Sequence, residues 1–330
     1  MEKILIIKLG ALGDVIRTLS ILPGFKEKFP NSEIFWLTKN NAAPFLENNP
    51  YINKLLTLPF QTKEKFDILY NFDTEEEATS LAKNLQATKK YGFYSEESFS
   101  AAFNPSAEYY LNTMFDDELK KNNKKTYQQM MFEAAELDYK KQHCSIFLTD
   151  KDKNYARDFL KNYLLNKDKL IGIHIGSSPR WPSKSWHEDR LRKFIILAKQ
   201  KGYDIILFGG PEEKDKLLSL VKEFSKQNIK VMTNNPDNTM REFASLVNEC
   251  SFIISADSLA LHVALALKKK TIGLFFCTSS NEIEDYGLLQ KLCSPMLYDF
   301  FPERMNEYNE ELTKSITEQE VLDIIEKCHK

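Results

Sequence analysis

Short apolar runs alternate along this chain with longer stretches in which apolar residues recur every three or four positions. KILIIK (3–8) is the first run, followed by a helical stretch from about Asp14 to Phe29 that Pro30-Asn31 closes. EIFWL (33–37), KLLTL (54–58), FDILYNF (66–72) and KKYGF (89–93) read as further strands, with helices near 42–48 and 75–86 between them. Strands separated by helices predict a parallel sheet with helices on both faces. The rhythm breaks over 95–125, where Ser, Asn, Pro and the run KKNNKK predict an irregular loop, and a helix over 127–137 ends the first half.

A second alternation follows. LIGIHIG (170–176), DIILFGG (204–210), IKVM (229–232), FIISA (252–256) and TIGLFF (271–276) are the predicted strands. Helices over 187–201, 212–226, 239–248 and 258–267 lie between them, and a last helix opens with the Thr317-x-x-Glu320 spacing of a capping box. The boundary falls between about 138 and 168, which gives domains over 1–150 and 151–330. No repeat of 20–50 residues is visible, yet both halves share one architecture. The expected fold is α/β: two Rossmann-like, doubly wound domains facing each other across a cleft, the last helix packing back on the first domain.

Composition narrows the classes of function. With 45 basic and 47 acidic side chains the net charge is −2, which argues against nucleic-acid binding driven by bulk positive charge. Cys144, Cys250, Cys277, Cys293 and Cys328 are odd in number and scattered, a pattern that fits a reducing cytoplasm. His143, His174, His187, His262 and His329 lack zinc-site spacing. No run approaches the ~20 apolar residues of a membrane span, so a membrane would be met from the side.

The chemistry concentrates where strands turn into helices. In KLGALGD, Gly10 and Gly13 allow unusual backbone angles and close ligand approach, and Asp14 either caps the helix, binds or does chemistry. The spacing is GxxG rather than GxGxxG, and Thr38-Lys39 stands where a nicotinamide ribose would need an acid, which counts against a dehydrogenase. IHIGSSPRWPSKSW (173–186) supplies Gly176, hydroxyls from Ser177 and Ser178, and the cations Arg180 and Lys184, a set suited to phosphate. In SADSLALH (255–262), Asp257 sits at a strand end, Ser258 starts a helix and His262 lies one turn along the same face; a capped helix with a core histidine is the plainer reading. FGGPEEK (208–214) places Glu212 and Glu213 in a first helical turn, where carboxylates complement the dipole without further function. Asp150-x-Asp152 resembles a metal-holding pair but opens a Lys-rich helix and reads as capping, and KKNNKK (120–125) reads as a solvated loop.

In order, these turns resemble the heptosyltransferase-like glycosyltransferases of family 9 over nearly the whole chain. The resemblance rests on Lys8, Gly13, Asp14, Val15, Thr18 and Leu19; on Gly176, Ser177, Ser178, Lys184 and Trp186; on Gly209-Gly210-Pro211-Glu212-Glu213; and on Asp257, Ser258 and His262. Leu259 stands where the family signature has Gly, and Phe276-Cys277-Thr278 replaces its F-G-P-T. The resemblance implies a GT-B fold with an acceptor-binding N-terminal domain, a nucleotide-sugar-binding C-terminal domain, and inverting transfer without a metal or other cofactor. It makes Asp14 the general base and Lys8, Gly13 and Arg17 its acceptor or phosphate loop. Lys184, Ser177 and Ser178 bind the diphosphate, Glu213 the ribose, Asp257 and Ser258 the sugar and phosphate, with His262 in support. It further implies ADP-heptose as donor, a lipopolysaccharide-core, glycan or lipid-linked acceptor, and work in the cytoplasm with peripheral contact at the inner membrane. Two rival readings are a nucleotide-sugar epimerase on the same scaffold and a non-catalytic nucleotide-sugar-binding protein.

Overall fold

The computed structural model describes residues 1–176 and 178–329, in two compact units. The first comprises Met1–Phe147 with Asn281–Glu284, the second Leu148–Ser280 with Asp285 onward.

In the first unit, β1 (Lys3–Ile7), β2 (Glu33–Thr38), β3 (Lys54–Thr57), β4 (Phe66–Asn71), β5 (Ala87–Glu96) and β6 (Phe99–Ala102) form one sheet in the order β3-β2-β1-β4-β5-β6. All neighbours run parallel except β5 and β6. The central strand carries no polar alternation because helices bury both of its faces. Leu5 and Ile7 join Phe35, Leu37, Leu69, Ala78 and Ala82 in one layer of core, and on β4 Tyr70 meets Phe25 of an opposite helix at 4.6 Å. Strand order reverses between β1 and β4, where Ile7 pairs with Asn71, so Lys8–Gly10 and Phe72–Asp73 leave the sheet at the same end. Such a reversal opens the crevice in which doubly wound sheets bind ligands.

In the second unit, β7 (Leu170–His174), β8 (Asp204–Phe208), β9 (Met232–Thr233), β10 (Phe252–Ala256), β11 (Lys270–Phe275) and β12 (Leu289–Cys293) form a wholly parallel sheet in the order β12-β11-β10-β7-β8-β9. Its reversal lies between β7 and β10, where Ile173 pairs with Ile254. The core packs Ile171, Ile173, Ile205, Leu207 and Ile254 against Phe194, Leu217 and Phe224. The last helix, Glu318–His329, opens on the expected capping box and buries Val321, Leu322 and Ile325 in this same core.

Four local expectations are corrected. The helix expected over 14–29 is two, Leu12–Thr18 and Ile21–Lys28, because Pro23 has no N–H for the Leu19 carbonyl, which accepts from Leu22 instead. The expected loop over 95–125 holds β6 and the helices Glu108–Asn112 and Asp117–Asn122. Its hairpin turns at Glu97-Ser98, both at positive φ, a pair without the Asn-Gly signature of such turns. β12 was not anticipated, its LQKLC being half polar. Finally, residues 281–284 return to the first unit, where Ile283 and Glu284 are buried. Glu284 accepts from the Tyr139 hydroxyl and pairs with Lys141 at 3.6 Å, while Asn281 donates to the Asn123 carbonyl at 3.2 Å.

The Asp150-x-Asp152 pair is structural. Thr149 caps the helix Asp150–Asn162, and Asp152 accepts from the Thr149 backbone at 2.7 Å and from Arg241 Nε at 3.0 Å. Burial works against the Asp152 charge, but these bonds hold its pKa down at about 2. Among the described residues no cluster of His, Cys, Asp and Glu could hold a metal ion, and no helix is long and apolar enough to cross a membrane.

Candidate active site

At the reversal of the first sheet, Asp73 organises the KLGALGD turn. Its Oδ2 accepts from the Leu9 N–H at 2.9 Å and from the Gly10 N–H, and it faces Lys8 Nζ at 3.7 Å. Both charges are buried, Lys8 being 3% and Asp73 2% exposed. Burial opposes ionisation of Asp73, but Lys8 and the N–H groups of Glu75, Gly10 and Leu9 outweigh it and lower its pKa. A Cβ at Gly10 would stand 2.9 Å from Asp73 Oδ2, so this glycine is demanded by close approach and not by a left-handed backbone. Gly13 is likewise in an ordinary conformation, the second residue of the helix Leu12–Thr18.

That turn delivers Asp14 into the first turn of the helix. The N-cap position belongs to Ala11, so the capping reading of Asp14 is not what the geometry shows. Arg17 Nη2 pairs with Asp14 Oδ1 at 2.9 Å, and the guanidinium lies 3.7 Å from the centre of the Tyr127 ring. The Tyr127 hydroxyl meets Thr18 Oγ1 at 2.8 Å, and Thr18 donates to the Asp14 carbonyl at 2.6 Å. Lys8, Asp14, Arg17, Asp73 and Tyr127 thus form one largely buried polar cluster, with Asp14 its more exposed member.

The second sheet builds a comparable cluster at its own reversal. Asp257, just beyond β10, has Lys184 Nζ at 3.5 Å from Oδ2 and His262 Nε2 at 3.5 Å from Oδ1. Lys184 is 8% exposed, ends the 3-10 turn Pro182–Lys184 and lies 4.8 Å from the Trp181 ring centre. The stiff Trp-Pro loop therefore holds its ammonium at the strand ends. Ser258 is the N-cap of the helix Leu259–Ala266, and its Oγ meets Ser255 Oγ at 2.9 Å and His174 Nδ1 at 3.2 Å. Burial pushes the His174 pKa down to about 4 against an opposing hydrogen bond with the Gly176 backbone, leaving the ring neutral near pH 7.

Glu213 joins this end of the sheet. Its Oε2 accepts from the Gly210 N–H at 2.9 Å, and a Cβ at Gly176 would lie 2.7 Å from its carboxyl carbon. Gly209 and Gly176 are therefore the surfaces against which Glu213 packs. Asn234 ties the β8 turn down, accepting from the Gly209 N–H at 3.1 Å and donating to the Gly209 carbonyl at 3.1 Å. Ser178 is exposed and receives the Arg180 N–H at 3.3 Å; Ser177 lies outside the described residues. Leu259 begins its helix half-buried. The Cys277 thiol is buried, and desolvation lifts its pKa to about 11 despite Lys184, so it is protonated and a poor nucleophile.

The first unit thus brings Lys8, Asp14 and Arg17 together, and the second brings Lys184, Asp257 and His262 together. Sequence reasoning assigns no role to Asp73, Tyr127 or Asn234, and considers His174 only as a zinc ligand. Asp73 and His174 could have been found, since each lies at the end of a strand read correctly and next to a motif already marked.

Comparison with known proteins gives a consistent result. Residues 61–308 match the family model for glycosyltransferase family 9 (heptosyltransferase). Lipopolysaccharide heptosyltransferase 1 of Campylobacter coli is 24% identical over 320 residues, which span 86% of this chain and 90% of that protein. The crystal structure of a family 9 glycosyl transferase from Veillonella parvula superposes with a TM-score of 0.79 at 20% identity, over 99% of this chain and 96% of that one. The E. coli heptosyltransferase WaaC with ADP-2-deoxy-2-fluoro heptose gives 0.63 at 16% identity, over 98% and 99%. The GT-B type of fold is common to them.

Proposed function

This chain belongs to glycosyltransferase family 9, and on that premise we propose that it transfers heptose from ADP-heptose to a saccharide of the lipopolysaccharide core, with inversion and without a metal ion. The observation that carries the donor half is the Lys184–Asp257–His262 array at the β7/β10 reversal, beside Ser258 at a helix start. In this reading Lys184 leaves Asp257 for the diphosphate, Ser178 and Ser177 donate to it, and Glu213 receives the ribose hydroxyls. Asp257, supported by His262, holds the sugar, and Ser258 the phosphate. The acceptor half rests on Asp14. The acceptor hydroxyl oxygen attacks C1 of the heptose from the face opposite the diphosphate, Asp14 takes the hydroxyl proton, and the C1–O bond to phosphate breaks to release ADP. Lys8, Gly13 and Arg17 shape the loop that aims Asp14. The acceptor being a lipid-linked saccharide, the work is done at the cytoplasmic face of the inner membrane.

A titration of ADP by calorimetry tests the donor half. A charge-assisted bond contributes roughly 1.5–3 kcal/mol, so Lys184→Ala weakens ADP binding about ten- to a hundredfold and leaves acceptor affinity unchanged. Equal ADP affinity in variant and parent would remove Lys184 from the site. The metal-free reading rests on Asp152, whose Oδ2 is already engaged by Thr149 and Arg241. Transfer is therefore expected to continue in excess EDTA; activity lost in chelator and regained with Mg²⁺ or Mn²⁺ would contradict it.

A further inference from the structure

A cavity of about 260 Å³ in the first unit takes no part in the mechanism above. It opens at the break between the helices Leu12–Thr18 and Ile21–Lys28, where Leu19 and Pro23 line it. Leu19 is five residues past Asp14, or about 7–8 Å along the helix at 1.5 Å per residue. No Lys, Arg, Asp or Glu lines the cavity, in contrast to both charged clusters. Its wall presents Tyr51, His143 and Phe147 as rings, and Asn49 and Ser145 as small polar groups.

Asn49 is the informative member. It is 6% exposed, and its Oδ1 is fixed as an acceptor by the Tyr51 N–H at 3.1 Å. That leaves Nδ2 as the donor end of the amide, and Tyr51 and Ser145 add hydroxyls to the same wall. An occupant that covered this amide without bonding it would cost roughly 1–3 kcal/mol, so a wholly apolar one such as an acyl chain is disfavoured. The lining offers no Lys or Arg to pair with a phosphate or carboxylate, which disfavours both. Rings that offer an apolar face, together with an amide donor and hydroxyls around a volume of this size, suit a neutral polyhydroxylated ring.

We infer that this cavity binds one neutral pyranose ring of a glycan, at a site separate from the Asp14 and Lys184 clusters and not itself reacting. The inference concerns binding alone and stands whether or not the transferase reading holds. It is tested by saturation-transfer NMR on the full chain, using the methyl glycosides of mannose, glucose and galactose singly, with adenosine and decanol as comparison probes. At least one glycoside is expected to receive saturation on its ring protons. Asn49→Ala weakens it about three- to tenfold, the usual consequence of losing one neutral hydrogen bond. Ser145→Phe fills the cavity and sharply reduces the signal, with Ser145→Leu serving where the larger side chain does not fold. Lys184→Ala leaves the signal unchanged, which separates this site from the donor cluster. No transfer to any glycoside, transfer undiminished in the filled variants, or saturation of decanol in place of the sugars overturns the inference.

Discussion

Asp14→Asn protein is expected to lose roughly 10²–10⁴-fold of its transfer rate, the usual contribution of a general base, with little change in melting temperature. The substitution keeps the size of the side chain and removes its ability to take a proton. Because Ala11 holds the N-cap position, no cap is lost with the charge. What is lost structurally is the charge on the Arg17 pair, and the side-chain oxygen of the introduced asparagine still offers the guanidinium an acceptor. Arg17 itself stays on the Tyr127 ring. Initial rates at saturating donor, with a thermal melt of the same preparation, check the point. A variant that transfers within a few-fold of the parent leaves Asp14 as an ion-pair partner and nothing more.

Asp73→Ala gives the second large effect, and it is one of stability. Removing this carboxylate strands the Lys8 ammonium, buried and with its paired charge gone, and deprives the Leu9 and Gly10 N–H groups of their acceptor. Breaking one partner of a buried pair costs about 3–5 kcal/mol, so the first unit should melt markedly earlier and the Asp14 turn should lose its alignment. Lys8→Met/Asp73→Ala should recover part of the loss, because no lone charge is then buried. Acid provides an independent check on the parent protein. The folded pKa of Asp73 lies below its unfolded value, so its contribution is complete above the unfolded carboxylate range, near 4. It fades as pH falls toward the folded value. Melting curves between pH 3 and 7 should show the parent losing stability on acidification more steeply than Asp73→Ala. Parallel curves would mean that the Lys8–Asp73 pair adds nothing to the fold.

Much of the architecture is legible in the sequence because it follows from continuous apolar runs. KILII and FIISA can only be buried strands, and the turns beyond them mark the two ends where strand order reverses. The less legible parts depend on tertiary contact. Glu97-Ser98 forms a hairpin turn without the residues that usually announce one. Asp73 looks like one more loop carboxylate until β4 is seen lying beside β1, which puts it on the Gly10 amide. Asp14 shows the limit most clearly. Sequence places an acid at a helix start, but whether it caps depends on which residue the chain leaves at the N-cap, and only the backbone decides that this is Ala11.

The passage of residues 281–284 through the first unit bears on how the gene can be divided. A split between Phe147 and Leu148 matches the single linker that the sequence suggests, but a fragment ending at Phe147 lacks Ile283 and Glu284, which are buried in it. Tyr139 and Lys141 lose their carboxylate in that fragment, and the complementary piece carries Ile283 with no socket and Glu284 with neither partner. The two halves are thus modular in architecture yet not separable as polypeptides. A working N-terminal piece would need the 281–284 segment restored, grafted on or supplied in trans.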